Sequence, residues 1–213
     1  MVKAQLQQHG KPPRPSAAQV LLYIPNIVGY VRLSLLLAAC CTKSTITLRL
    51  FLANFLLDGL DGYLARRLQQ TSAFGAFLDV FVDVLSRGTL WAWALEGPVA
   101  AVPILLEGIT FTCTHKAGGA AWKIGCFADA PGWVRAVMAN GFKTPLGALT
   151  VVGLMGCPLW FWARRFAPTS VLALPAVGCI VIAGRCLAAA VELWVIARHL
   201  AALVNEPPQE HDA

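Results

Sequence analysis

Residues 58–83 read DGLDGYLARRLQQTSAFGAFLDVFVD, and this stretch decides how the rest of the chain is read. Apolar runs flank it on both sides, yet it holds four aspartates, Asp58, Asp61, Asp79 and Asp83. A carboxylate at bilayer depth costs about 2.5–3.5 kcal/mol even on insertion scales. Four of them need a compensating partner, and their spacing points to divalent metal. Asp58, Asp61, Gly62, Ala65 and Arg66 fall at i, i+3, i+4, i+7 and i+8, on one helix face. Gly75, Asp79 and Asp83 follow at steps of four, again on one face. Two antiparallel helices joined by the polar turn RRLQQTS would set the two faces opposite each other. The result is a cage of carboxylate oxygens, the donor type that Mg²⁺ and Mn²⁺ prefer. Gly62, Ala65 and Gly75 are small on the same faces, which permits close helix approach or leaves room for a ligand. A helix-end or loop carboxylate accounts for one or two of these aspartates taken singly, not for four in register.

Composition places this cage in a membrane. The chain has 213 residues, 57% hydrophobic and only 13% charged, against about 25% charged in a soluble domain. Mean hydropathy is +0.64. These values predict an all-α, polytopic membrane protein of one domain. The net charge of +6 then reads as attraction to anionic headgroups and as a topology signal. No basic stripe interleaved with aromatics supports a nucleic-acid partner. The seven cysteines are odd in number and form no CxxC pair, so they read as small core residues rather than zinc ligands. Residues 1–16 are polar and proline-rich (HGKPPRPS), without the apolar centre of a signal peptide. They and residues 201–213 are expected to be disordered tails, leaving a membrane domain over 17–200.

Hydropathy predicts six transmembrane helices, near 18–40, 46–66, 72–95, 98–115, 144–162 and 170–197, plus a short N-terminal interfacial helix before Pro25. Arg32 falls inside the first span and reads either as snorkelling to the headgroups or as a phosphate contact. Arg87 lies one turn beyond Asp83, within pairing reach. The fourth span holds Glu107, Thr110, Thr112, Thr114 and His115. Residues 116–142 form the longest loop, whose Trp122, Phe127 and Trp133 suggest an interfacial position. Arg185 and Glu192, seven apart in the last span, share a face and read as a mutual pair or an acceptor contact. With both termini cytosolic, ten lysines and arginines fall inside (among them Arg66, Arg67, Arg135 and Arg198), against Lys43, Arg49, Arg164 and Arg165 outside. The aspartates then face the cytosol.

The same stretch resembles the signature of the CDP-alcohol phosphatidyltransferase family, D-x-x-D-G-x-x-A-R-(x)8-G-x-x-x-D-x-x-x-D. Every fixed position is met, by Asp58, Asp61, Gly62, Ala65, Arg66, Gly75, Asp79 and Asp83. The resemblance implies that Asp58, Asp61 and Asp79 ligate metal and that Asp83 is the general base and a further metal contact. It implies that Gly62, Ala65, Arg66 and Gly75 hold the nucleotide and its diphosphate. The implied cofactor is a pair of Mg²⁺ or Mn²⁺ ions. The implied donor is CDP-diacylglycerol or a related CDP-lipid, the acceptor is a polar alcohol, and CMP is released. A homodimer in the endoplasmic reticulum membrane is implied as well.

Within the family, the phosphatidylinositol synthase branch is most similar. PNIVGYVR (25–32) resembles its opening, FGAFLDVFVD (74–83) its third helix and ARHLAAL (197–203) its close. Inositol is the acceptor this implies. Two departures stand out. The branch carries S-H-W-x-H-x-H-S-S after the fourth span where this chain has TCTHKAGG (112–119), which leaves His115. The arginine that follows the fourth aspartate there is Val84 here. Arg32, His115, Arg135 and Arg185 are the candidates for acceptor or lipid-phosphate contacts. The alternatives are a glycerol phosphate or aminoalcohol acceptor, or a paralogue that binds CDP-lipid without turnover. An ion transporter built on membrane carboxylates has no use for the Gly, Ala and Arg positions.

Overall fold

The structure, a computed structural model, describes residues 15–42, 45–115, 127 and 129–205. Most of the two expected tails, Lys43, Lys116, Trp122, Lys123, Cys126 and the His115 side chain lie outside the described residues. Among the described residues all regular structure is helical: α1 (Ala17–Leu21), α2 (Ile24–Cys40), α3 (Thr45–Arg67), α4 (Ala73–Ala94), α5 (Ala101–His115), α6 (Gly132–Met138), α7 (Pro145–Phe166) and α8 (Pro175–Val204). Short 3-10 turns at Gly97–Ala100 and Val171–Ala173 lead into α5 and α8.

Local chemistry sets most of the helix starts. Ser16 and Gln19 form a reciprocal capping box at α1. Pro25 sits in the first turn of α2, where its missing N–H has no helical partner to lose. Ser72 caps α4 by accepting from the Gly75 N–H, and Thr144 caps α7 by accepting from the Gly147 N–H. The turn between α3 and α4 is closed by Gln69 in the left-handed region, φ 55°. The Ile24 N–H donates to Gln70 Oε1 at 3.0 Å, tying the start of α2 to that turn.

Three segments, Gly97–Thr114, Pro145–Phe166 and Pro175–Val204, are long and apolar enough to cross a membrane. Large apolar side chains point outward over much of the surface, among them Leu56 at 78% and Leu193 at 58% exposed. Water would not tolerate so broad an apolar exterior. The chain is an integral membrane protein. Inside, α4 is central and packs against α2, α5 and α7, while α3 lies on α2 and α8 lies on α7 and α5. The α7–α8 crossing is glycine on glycine. A Cβ built on Gly153 would stand 2.1 Å from the Gly184 carbonyl carbon. This close approach sets the height of Arg185, the next residue along α8.

Two differences from the sequence reading follow from packing. The 116–142 segment contains α6, whose Val134 and Val137 bury together with Phe127 against Val191 and Val195 of α8. Phe127 stacks on Trp194 with centroids 6.0 Å apart, so it belongs to the core, while Trp133 stays 46% exposed. The i, i+3 valines give α6 an apolar side that folds this segment onto α8. In addition, α8 continues to Val204, because ARHLAAL contains no helix breaker.

Candidate functional site

Asp58 and Asp61 lie toward the C-terminal end of α3, and Asp79 and Asp83 toward the N-terminal end of α4. The turn 68–72 between them makes the helices antiparallel, so all four carboxylates meet about 9–15 Å below that end of the bundle. Carboxylate oxygens of Asp58, Asp61 and Asp79 lie within 4.8 Å of one another. At their centre is Arg32 of α2, with 0% of its side chain exposed. Its guanidinium reaches Asp58 at 3.1 Å, Asp61 at 2.7 Å and Asp79 at 2.9 Å, and also bonds Asp83. Asn54 fixes the α2 backbone there by donating to the Arg32 carbonyl at 2.8 Å. Burial rules out the headgroup position for Arg32. It is the counter-ion of the aspartates, because α2 packs against both α3 and α4.

The charge network extends beyond the signature. Arg87 Nη1 donates to Asp83 at 2.9 Å, and Arg87 Nε donates to Glu107 of α5 at 2.5 Å. Glu107 lies 3.7 Å from Arg185 of α8, and Arg185 donates to Glu192 at 2.8 Å. The two pairs that spacing suggested, Asp83–Arg87 and Arg185–Glu192, are therefore both present. What spacing did not reveal is that Glu107 joins them into one chain across five helices. Six carboxylates and three guanidiniums belong to it, a formal excess of three negative charges with every acid ionised. An uncompensated buried charge is costly. The excess and the all-oxygen donor set fit a divalent cation at Asp58, Asp61 and Asp79.

Two cavities flank the aspartates and share Asp79. One, of about 160 Å³, is lined by Asp61, Gly62, Ala65, Gly75 and the start of α2. Its two glycines are small for different reasons. A Cβ on Gly75 would come within 2.7 Å of Asn26 Oδ1, whereas a Cβ on Gly62 would meet only the Arg66 guanidinium, at 3.5 Å. Packing demands Gly75; Gly62 leaves open space. The exposed Arg66 thus stands over Gly62 at the rim. The other cavity, about 250 Å³, has Asp58, Asp79 and Asp83 at one end and Arg87, Glu107 and Glu192 in its wall. Arg135 is exposed on α6 and is not part of either wall.

A family model described as CDP-alcohol phosphatidyltransferase matches residues 22–130, just over half of the 213-residue chain. The chain belongs to this family. The match takes in all eight signature residues and Arg32, Arg87 and Glu107, while Arg185 and Glu192 of the network lie beyond it. Among curated proteins, this family member is similar to CDP-diacylglycerol–inositol 3-phosphatidyltransferase 1 of Arabidopsis thaliana, 43% identical over 81 residues, 37% of this chain and 36% of the plant protein. The Saccharomyces cerevisiae CDP-diacylglycerol–inositol 3-phosphatidyltransferase is 37% identical over 88 residues, 40% of each chain. The Homo sapiens protein of the same name is 36% identical over 69 residues, 30% of this chain and 32% of the human one. The chain thus spans only about a third of the plant and human relatives it matches. No solved structure matches it.

Proposed function

We propose that the protein transfers a phosphatidyl group from CDP-diacylglycerol to an alcohol, myo-inositol, releasing CMP. One observation carries the reading: four aspartates in register around one buried cation, with an excess of negative charge, between a small-residue cavity and a second chamber. The names of the plant, yeast and human relatives favour inositol as acceptor.

In this reading the cytidine and diphosphate lie along Gly62, Ala65 and Gly75, with Arg66 countering phosphate charge at the rim. Asp58, Asp61, Asp79 and Asp83 hold Mg²⁺ or Mn²⁺, as a two-metal site. When bound, the metal neutralises the diphosphate and polarises the phosphorus under attack. The acceptor hydroxyl oxygen forms a bond to the phosphatidyl phosphorus. The bond from that phosphorus to the bridging oxygen breaks, and CMP leaves with the bridging oxygen. The hydroxyl proton passes to Asp83, which Arg87 holds in position through its other oxygen. Burial of the site lets the pocket align hydroxyl and phosphorus away from water.

The same reading takes α2, α3, α4, α5, α7 and α8 as six membrane spans, with α1 in the interface. Helices α3 and α4 are about 34 and 33 Å long, enough for a hydrocarbon core of about 30 Å, and Leu52, Leu56 and Leu60 stand outward along α3. The site faces the cytosol from the endoplasmic reticulum membrane, and the protein is a homodimer. Purified protein given CDP-diacylglycerol, Mn²⁺ and labelled inositol tests the activity. CMP and labelled lipid formed only with inositol support it. CMP formed with another alcohol instead moves the acceptor. Metal and CDP-lipid binding without turnover refutes catalysis, and an Asp83→Asn protein with full activity refutes the base.

A further inference from the structure

The 250 Å³ chamber beyond Asp83 has a polar lining made mostly of acceptors. The arginines beside it bond carboxylates. Arg87 bonds Asp83 and Glu107, and Arg185, behind the wall, bonds Glu192 and faces Glu107. Asp58, Asp79, Asp83, Glu107 and Glu192 outnumber Arg87 in that lining, so it opposes a phosphate by like charge. The threonine hydroxyls are turned the other way. Thr110, Thr114 and Thr150 donate their protons to helix carbonyls, of Leu106 at 2.8 Å, Thr110 at 2.9 Å and Leu146 at 2.8 Å. Each therefore shows the chamber only oxygen lone pairs. Glu107 is 5% exposed, and its Oε1 has no hydrogen-bond partner. Arg185 Nη2 faces that oxygen from 3.7 Å, beyond hydrogen-bond reach, so the oxygen keeps its capacity to accept from a hydroxyl.

We infer that Glu107, with the threonine oxygens around it, is the group that binds the acceptor, and that it selects a compact hydroxyl-rich alcohol carrying no phosphate. This rests on the transfer reading above and deepens it. A polyol supplies several O–H donors to a wall of acceptors, and its carbon-bound hydrogens suit the flanking Phe111, Phe142 and Val191. The phosphate of a phosphorylated alcohol brings only acceptor oxygens and negative charge to the same wall. An ammonium alcohol would meet Glu107 already flanked by two guanidiniums. Glu107 is thus a specificity residue in this chain, outside the eight-residue signature and one helix away from it.

The experiment uses the full chain in nanodiscs with CDP-diacylglycerol and Mn²⁺, and reads CMP release with myo-inositol, glycerol 3-phosphate and ethanolamine. The expected kcat/KM for myo-inositol exceeds that for glycerol 3-phosphate by at least about 100-fold. Glu107→Gln is expected to raise the inositol KM about 10- to 100-fold, the worth of a hydrogen bond to a charged group, while the KM for CDP-diacylglycerol stays within about twofold. Because Glu107→Gln also loosens Arg87, Thr110→Val serves as a second probe, with an expected rise of about 2- to 10-fold in the same KM. Preference for glycerol 3-phosphate or ethanolamine overturns the inference and leaves transfer standing. So does an unchanged inositol KM in Thr110→Val, or an equal rise in both substrates' KM in Glu107→Gln. CMP release with no alcohol at all overturns the transfer reading, and this inference with it.

Discussion

Replacing Arg32 with glutamine removes the one cation that touches all four aspartates. Its side chain is fully buried and bonded to Asp58, Asp61, Asp79 and Asp83, so the excess of three negative charges in the network rises to four. Breaking a buried ion pair costs about 3–5 kcal/mol. For a chain of this size each kcal/mol lowers Tm by about 2–4 °C, so the metal-free variant should melt about 6–20 °C below the parent. Divalent cations address the same oxygens that the guanidinium holds. Mn²⁺ should therefore raise Tm more in Arg32→Gln than in the parent, narrowing the gap. Arg32→Lys should fall between, since one ammonium cannot reach four acids with the fork of a guanidinium. Tryptophan fluorescence melts in detergent, with EDTA or graded Mn²⁺, give the numbers. Equal Tm values without metal, or an equal Mn²⁺ shift in both proteins, would refute the counter-ion role.

Other perturbations separate parts of the account. Gly62→Ala should fold with unchanged Tm, because only a flexible guanidinium is near its new methyl, yet raise the KM for CDP-diacylglycerol by about tenfold through lost room. Gly75→Ala should instead lose about 1–3 kcal/mol of stability by overpacking against Asn26, read as a lower Tm. Gly153→Ala should destabilise by a similar amount of about 1–3 kcal/mol, since its methyl would strike the α8 backbone, and displacing Arg185 should raise the acceptor KM as well. Glu96→Gln, which breaks an exposed pair with Arg165 at 2.7 Å, should stay within about 0.5 kcal/mol of the parent in the same melts.

The aspartate faces were legible because a 3.6-residue period puts i, i+3, i+4 and i+7 together without any knowledge of tertiary packing. The turn RRLQQTS then forced the two faces to meet. The same local rule found Asp83–Arg87 and Arg185–Glu192, each on one helix. Arg32 was not legible in this way. Its partners lie on two other helices, and nothing in PNIVGYVR says which way its side chain points. Glu107 was hidden for the same reason, since it has no charged neighbour on its own helix and meets Arg87 and Arg185 only after α4, α5 and α8 pack. Phe127 was misplaced because an aromatic in a glycine-rich segment looks interfacial until α6 folds it under Trp194. The family signature covers the four aspartates and the small-residue cavity, while Arg32, Arg87, Glu107, Arg185 and Glu192 lie outside it.

Divalent-ion binding to the full chain tests the central claim most directly. Mn²⁺ titrated into protein in nanodiscs, followed by the loss of its free paramagnetic signal, should show binding that CDP strengthens and that Asp61→Asn or Asp79→Asn weakens sharply. Mn²⁺ affinity that is indifferent to CDP, or unchanged in both asparagine variants, would contradict it.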